Sequence, residues 1–224
     1  LNDNSLRSTD GTQYPVAWMD ASYPNGTPII ERTGYLVEFN ALWYNALMFT
    51  ANLFKDDFTQ LDFVARVEDL AAMCKSSFVK VFMNEYGYLY DYVSGNVSDV
   101  SVRPNMIIAA ALDYSPLDRR QRKSVLDVVT RELLTPKGLR TLSPKSYGYR
   151  PWYLGSPEER EMAYYAGSAR PWLMGFYADS YIKVFGLGGI AFIERMMVGF
   201  EDELMQGCIG SLSELYDGNP PYTG

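Results

Sequence analysis

Apolar side chains recur at helical spacing in several separate stretches of this chain, and that periodicity constrains the fold more than any other feature. The first stretch carries apolar residues at Phe39, Leu42, Trp43, Ala46, Phe49 and Leu53. Its polar line is thin and consists of Glu38, Asn45 and Asn52. A helix that is apolar on nearly every side is typically buried in a larger assembly, so the sequence predicts a buried helix here.

The second stretch predicts a helix that begins at Thr59, with Asp62 three residues later in the position of a capping-box partner. Its inward face is predicted at Val64, Val67, Ala71, Cys74, Phe78, Val81 and Phe82. Residues 84–100 are polar and contain glycine and several tyrosines. This composition indicates a loop or a short hairpin between helices.

Four further helices are predicted: residues 106–112, residues 116–134, one that begins at Ser156 and ends at 186–189, and one that runs to about residue 206. At Ser156, serine is the predicted N-cap and Pro157 occupies the first helical position. Six or seven helices without strand–helix–strand alternation predict an all-α fold. Long irregular loops between helices are uncommon unless they are functional, so we expect the site on these loops.

Charge and residue usage exclude several classes of function. The chain has 27 acidic and 20 basic residues, a net charge of −7, and no basic run, which argues against nucleic acid. The absence of histidine removes Ser-His-Asp triads and histidine-ligated metals. Cys74 and Cys208 show no pairing pattern and are predicted to be small apolar residues. We therefore expect no metal or cofactor, and a neutral partner such as a carbohydrate.

The sequence also gives expectations about cellular context. No run of about 18 apolar residues occurs, so no membrane span is predicted. The N-terminus does not resemble a signal peptide. It lacks methionine, so we expect the chain to begin inside a longer protein with a cytoplasmic location.

Two segments place a carboxylate among turn-forming and aromatic residues. Asp20 lies in Ala-Trp-Met-Asp-Ala (17–21), and Glu214 lies in Gly-Ser-Leu-Ser-Glu (210–214). Hydrolysis of a glycosidic bond needs two carboxyl groups, one as proton donor and one that activates water or attacks the sugar. Spacing alone does not establish that these two meet, because most acids of a chain lie on solvated surface.

The motifs of this chain, taken together, resemble the C-terminal α-1,6-glucosidase region of bacterial and archaeal glycogen debranching enzymes. That family typically has Thr-Trp-Met-Asp-Ala where this chain has residues 17–21. The resemblance continues, in the expected order, through residues 37–47, 103–105, 132–142 and 210–221. It therefore spans almost the whole chain.

This resemblance implies an α/α toroid, part of an (α/α)6 barrel, with an inverting mechanism. By resemblance, Asp20 matches the general acid and Glu214 the general base. Inversion needs room for water, so their carboxyls should lie roughly 6.5–9.5 Å apart. Asp20 should be partly desolvated against Trp18, and Glu214 should stay ionised.

The resemblance implies that residues 1–224 correspond to the second half of that barrel, without its first helices and its last helix. An open half-toroid would expose apolar inner faces, which is unfavourable by about 25 cal/mol per Å². We therefore expect either the remainder of the barrel or a homo-oligomer as partner.

Eight further residues are predicted to bind substrate: Trp18, Glu38, Asn40, Trp43, Arg103, Asn105, Arg140 and Trp172. Most of them have an alternative role. Glu38 and Asn40 could instead have a capping and buried-polar role, and Trp43 and Trp172 could fill the core. Arg103 and Asn105 could instead anchor their loop. Arg140 could pair with an acid near the site.

The chain departs from the family pattern at two places in its late helical region. The family commonly has Tyr-His-Gln-Gly where this chain has Tyr-Tyr-Ala-Gly (164–167), and Arg170 replaces a tryptophan before Pro-Trp. The predicted function is an inverting α-1,6-glucosidase that acts on branch points of glycogen or a related α-glucan. The alternatives are a non-catalytic glucan-binding or structural relic, or a related toroid glycosidase.

Overall fold

The computed structural model describes residues 17–19, 22–23, 25–206 and 209–224. Within these residues the α-helices are α1 (Val37–Phe54), α2 (Leu61–Phe82), α3 (Asn105–Ala111), α4 (Arg119–Glu132), α5 (Pro157–Ala166), α6 (Leu173–Phe185) and α7 (Ile190–Val198). Short 3-10 helices cover Gly186–Gly189 and Asp202–Met205. The strands are β1 (Tyr35–Leu36), β2 (Tyr92–Ser94), β3 (Val97–Ser98), β4 (Leu134–Thr135), β5 (Gly138–Arg140) and β6 (Ala169–Arg170).

The first predicted helix corresponds to α1, which packs against α2 and α3. Ala41, Tyr44 and Leu47 are buried in this packing. Phe49 and Leu53 belong to the predicted apolar face, yet they are 56% and 63% exposed. The described elements therefore bury one side of α1 and leave part of its apolar surface open.

Helix α2 confirms the predicted inward face but not the predicted cap. Its residues at six of the seven predicted positions are buried: Val64, Val67, Ala71, Cys74, Phe78 and Phe82. The helix begins at Leu61, and Thr59 does not cap it. Thr59 instead donates from its backbone N–H and its hydroxyl to Asp57 Oδ1, at 2.9 and 2.6 Å. This local turn competes with capping, so the capping-box prediction at Thr59 and Asp62 is wrong.

Helix α3 lies at the centre of the fold. All seven of its residues are buried, and it packs against α1, α4 and α6. Its last carbonyls have no partner inside the helix, so they need donors from elsewhere. Arg122 Nη1 donates to the carbonyl of Ala110 at 3.0 Å, and Lys183 Nζ donates to the carbonyl of Ala111. The opposite end of this fixed helix carries Asn105.

The later helix boundaries are set by local hydrogen bonds. The predicted cap at Ser156 is confirmed: Glu159 N–H donates to its hydroxyl, and its own N–H donates to the Glu159 carboxylate. Helix α4 begins after Asp118, which forms a second capping box with Gln121. The predicted single helix from Ser156 to residues 186–189 is wrong, because the chain forms α5 and α6 there with β6 between them. The last α-helix ends at Val198, and a short 3-10 helix lies between it and residue 206.

Two small antiparallel sheets modify the all-α prediction. In the first, β1 pairs with β2 and β2 with β3, which confirms a hairpin within residues 84–100. In the second, β4 pairs with β5 and β5 with β6, so that Leu139 lies between Leu134 and Arg170. Strands of two or three residues are too short to show an alternating pattern in the sequence. They matter here because β6 carries Arg170 to one edge of its sheet.

The hydrophobic core consists of two clusters. The larger one surrounds α3 and includes the fully buried Phe78, Phe82 and Tyr177. The smaller one lies between α1 and α2 and includes Tyr44 and Cys74. None of the described helices combines the length and the apolar character that a membrane crossing requires.

Candidate functional site

The segment that carries Glu214 is held against β6. Ala169 and Tyr216 exchange two backbone hydrogen bonds of 2.7 and 2.9 Å, which add this segment to the free edge of the second sheet. Because Tyr216 is two residues after Glu214 and Ala169 precedes Arg170, this pairing brings Glu214 beside Arg170.

Glycines allow the same segment to approach the turn before β6. A Cβ at Gly218 would collide with the carbonyl oxygen of Gly167, and a Cβ at Gly167 would collide with the carbonyl of Arg150. Gly218 N–H donates to the carbonyl of Pro151 at 2.6 Å. Larger residues at either glycine would therefore displace the segment that positions Glu214.

Glu214 accepts two side-chain hydrogen bonds on one carboxylate oxygen. The hydroxyl of Tyr164 and Nη1 of Arg170, the latter at 3.1 Å, both donate to Oε1. The Arg170 guanidinium carbon lies 3.3 Å from the centre of the Tyr164 ring, which is a close cation–π stack. The Arg170 side chain is 2% exposed, whereas the Glu214 side chain is 72% exposed. A buried cation thus orders an exposed carboxylate.

These contacts determine the ionisation of Glu214. The hydrogen bond from Tyr164 lowers its pKa, partial burial raises it, and the charge and hydrogen bond of Arg170 lower it again. The net pKa lies below the usual value for glutamate. A carboxylate that stays ionised near neutral pH is suited to the role of general base.

Aromatic rings extend from Glu214 to Trp18 and Trp172, and we refer to Tyr164, Tyr165, Trp18 and Trp172 as the aromatic wall. Trp18 meets Trp172 edge-to-face, with ring centroids 5.2 Å apart, and lies 6.0 Å from Tyr165. Tyr165 contacts Tyr164 at 4.7 Å. Trp172 is 45% exposed, so of the two roles open to it, core packing is wrong. Its position agrees with a platform for a sugar ring, and this binding role stays a prediction.

A buried polar network holds Trp18 from behind. Trp18 Nε1 donates to Asn105 Oδ1 at 2.8 Å, and Asn105 Nδ2 donates to Asp91 Oδ1 at 2.8 Å. Arg32 binds Asp91 through Nε at 2.6 Å and binds Glu38 through both terminal nitrogens at 2.7 Å. We refer to Arg32, Glu38, Asp91 and Asn105 as the Arg32 network. It brings three predicted site residues, Trp18, Glu38 and Asn105, into one connected group.

The Arg32 network is electrically paired. Burial lowers the pKa of the Arg32 guanidinium, but the charges of Asp91 and Glu38 outweigh that effect and raise its pKa overall. The side chains of all three are at most 2% exposed. Each of the three ions would be very unfavourable if it were buried without a partner, so their mutual pairing is what permits their burial. Glu38 therefore lies in a buried ion pair, the second of the roles open to it.

The other four predicted binding residues lie in structural contacts. Asn40 donates through Nδ2 to the carbonyl of Leu36 at 2.8 Å, and Trp43 packs against the α1–α2 cluster. Arg103 donates to two carbonyls, those of residues 141 and 165, and so anchors its loop. Arg140 donates to the Gly218 carbonyl at 2.7 Å and to the Tyr149 hydroxyl. Arg140 thereby supports the Glu214 segment from the side.

Asp20, the predicted general acid, lies outside the described residues, as does Cys208. The predicted carboxyl separation between Asp20 and Glu214 therefore stays a prediction. Within the part of the chain that the structure describes, no three or more cysteine or acidic residues cluster as metal ligands would. The chemistry available to the described site is that of carboxylate, phenol, guanidinium and aromatic groups.

Sequence patterns did not identify several residues of this site: Arg32, Asp91, Tyr164 and Arg170. Arg170 was visible only as a departure from a family pattern. An arginine in Ser-Ala-Arg-Pro-Trp (168–172) requires an acidic partner if it is buried, and this rule predicts a carboxylate beside Arg170 without identifying which one. The same rule applies to Arg32 and Asp91, which are 59 residues apart.

Comparisons with known proteins identify the family of the chain and a structure with a similar fold. The sequence model of the amylo-alpha-1,6-glucosidase family matches residues 2–224. The glycogen debranching enzyme of Saccharomyces cerevisiae is 26% identical in an alignment that is 212 residues long with its gaps and covers 76% of this chain. The neutral trehalase of the same yeast has a similar fold, with a TM-score of 0.67 and 14% identity over 90% of this chain.

These relatives are much longer than the chain. It spans 14% of the yeast debranching enzyme and 37% of the trehalase chain. At 14% identity the trehalase shows a likeness of fold alone. Trehalase is an (α/α)6 barrel, and the helices described above agree with a part of such a toroid.

Proposed function

We propose that this chain, which belongs to the amylo-alpha-1,6-glucosidase family, forms the catalytic part of an inverting α-1,6-glucosidase. Its proposed substrate is a branch point of glycogen or a related α-glucan. The observation that carries the proposal is the state of Glu214, an exposed carboxylate held in place by Tyr164 and Arg170 beside an aromatic wall. An ordered, ionised and accessible carboxylate is what a general base in this reaction requires.

In the proposed reaction, Asp20 gives its proton to the oxygen of the leaving glucan as the bond from that oxygen to the anomeric carbon breaks. Glu214 takes a proton from a water molecule, and the oxygen of that water forms the new bond to the opposite face of the same carbon. Trp18 and Trp172 would stack against glucose rings, since their flat apolar faces match those of a sugar.

The proposal includes a partner for the open face of the fold. We propose that residues 1–224 form the second half of an (α/α)6 barrel, completed by further helices or by another copy of the chain. Exposed apolar side chains support this covering, among them Phe49, Leu53 and Phe58. A cytoplasmic location belongs to the same proposal.

The test is release of glucose from a dextrin that carries single α-1,6-linked glucosyl stubs. The wild-type chain is expected to release glucose first as the β-anomer. NMR distinguishes the two anomers and monitors this release. Glu214→Gln and Asp20→Asn should each lower kcat by at least about 100-fold, the usual contribution of general acid–base catalysis. Asp127→Asn, which changes an acid in an exposed ion pair, is the matched control and should leave kcat unchanged. Unchanged turnover in Glu214→Gln would contradict the proposed role of Glu214.

A second candidate is a glucan-binding protein without turnover. The ion pair between Arg170 and Glu214 favours it, because a cation replaces the family's tryptophan and occupies one oxygen of the predicted base. That candidate predicts retardation of the wild-type chain in glycogen-containing gels with no glucose release. A third candidate, a related toroid glycosidase, predicts turnover of another α-glucoside in the same assay, and trehalose is the first to include.

A further inference from the structure

Arg170 is buried, stacks on the ring of Tyr164 and forms an ion pair with Glu214, which is distant in sequence. It is 1% exposed, and its guanidinium carbon lies 3.3 Å from the centre of the Tyr164 ring and 5.9 Å from that of Trp18. Its Nη2 also donates to the Tyr164 carbonyl at 3.4 Å. These contacts hold the guanidinium in place independently of its bond to Glu214.

We propose that Arg170 and Tyr164 form a clamp on Oε1 of Glu214, which fixes the carboxylate and leaves Oε2 to take the proton of the attacking water. This inference rests on the proposed function, since it assigns positioning residues to the same base. Within the described part of the chain, both side-chain hydrogen bonds to Glu214 end on Oε1.

The clamp has a physical reason. A glutamate side chain that is 72% exposed would otherwise sample several rotamers, and a general base must stay within hydrogen-bond reach of its proton. Hydrogen bonds to an ionised group are short and roughly twice as strong as neutral ones. Because Arg170 is buried and Tyr164 belongs to α5, the donors themselves do not have to be ordered on binding.

The clamp also fixes the charge of the base. Among the described residues, the charged or titratable groups that face Glu214 are Tyr164 from α5 and Arg170 from β6. Both favour the carboxylate over the carboxylic acid. Loss of either donor therefore raises the pKa of Glu214. Because the base must be ionised, the acid limb of kcat/KM then moves to higher pH.

The experiment compares the pH profiles of Arg170→Gln, Arg170→Lys and Tyr164→Phe on the branched dextrin. Arg170→Gln and Tyr164→Phe should lower kcat by about 10- to 100-fold, the effect of one lost hydrogen bond to a charged group. Both should move the acid limb upward, whereas Arg170→Lys should move it less because the positive charge remains. Arg131→Gln is the matched control, because Arg131 is exposed and its partner Glu132 keeps its bonds to Ser143 and Lys145.

The outcomes separate this inference from the proposed function. If Glu214→Gln is inactive but Tyr164→Phe and Arg170→Gln keep the wild-type acid limb, the clamp is overturned and the proposed function stands. If KM rises while kcat and the acid limb stay constant, Arg170 contacts substrate instead, and the clamp is again overturned. Should Arg170→Gln fail to fold, as judged by circular dichroism, Tyr164→Phe decides, because it keeps the ring under the guanidinium and removes only the hydroxyl.

Discussion

Asp91→Ala tests whether the Arg32 network, which binds Trp18 through Asn105, stabilises the fold. Asp91 accepts from Arg32 Nε at 2.6 Å and from Asn105 Nδ2 at 2.8 Å, and it is 1% exposed. Removing the carboxylate takes away both of its hydrogen bonds from Arg32, the shorter of which contributes about 1.5–3 kcal/mol, and leaves a buried amide donor unpaired, at about 1–3 kcal/mol. The bidentate bond between Arg32 and Glu38 remains, so these losses are not increased by a wholly unpaired cation. We expect a loss of about 3–5 kcal/mol in the free energy of unfolding.

The chain offers a control with the same ion-pair distance and a different environment. Lys123 Nζ lies 2.6 Å from Asp127, the same separation as in the buried pair, but both side chains are about half exposed. An exposed pair at this helical spacing contributes about 0.3–0.5 kcal/mol, so Asp127→Ala should have little effect. Both variants are measured by urea unfolding followed by far-ultraviolet circular dichroism. Equal losses in the two variants, or a loss below 1 kcal/mol for Asp91→Ala, would refute the argument that burial gives this pair its weight.

Two further predictions concern the Glu214 segment and the aromatic wall. Gly218→Ala should lower the free energy of unfolding by about 2 kcal/mol and reduce kcat, because its Cβ would meet a backbone carbonyl. Gly175→Ala, inside α6 with open space around its Cβ, should be neutral or stabilising by up to about 1 kcal/mol in the same urea titration. Trp172→Ala should weaken glucan binding about 10-fold in affinity gels without loss of melting temperature. Trp43→Ala should do the reverse, losing about 2 kcal/mol of stability at unchanged affinity; a matching loss of affinity would contradict the placement of Trp43 in the α1–α2 cluster.

Local patterns predicted most of the helices, because the interactions that set them are local, but they did not show that the predicted helix from Ser156 to residues 186–189 is divided into α5 and α6 by β6. The inward face of α2 follows from spacing alone, and Ser156 caps α5 through a residue three positions away. The same reasoning failed at Thr59, where Asp57 offers an acceptor two residues back and forms a turn instead. Both outcomes are local chemistry, and a single sequence does not show which competitor is stronger.

The candidate site was harder to predict because its contacts join distant parts of the chain. Arg170 and Glu214 are 44 residues apart, and they meet through a backbone pairing of Ala169 with Tyr216 that leaves no periodic signal. Family motifs pointed to Glu214, to Trp18 and to Asn105, which accepts from Trp18, but not to the two donors that hold Glu214. One of those donors, Arg170, follows from a rule of pairing: a buried arginine needs a carboxylate, and geometry decides which one.

Arg32 and Arg170 are both buried arginines that support residues of the candidate site near Trp18. Each is a buried guanidinium, one linked to Trp18 through Asp91 and Asn105, the other 5.9 Å from its ring and bonded to Glu214. Arginine stays charged over the whole range in which a carboxylate titrates, so neither support changes as the base gains or loses its proton. Apolar residues of similar volume would often give as much stability as a buried ion pair. We therefore expect the main contribution of these two arginines to be the fixed positions of the Glu214 carboxylate and the Trp18 indole, rather than a larger free energy of unfolding.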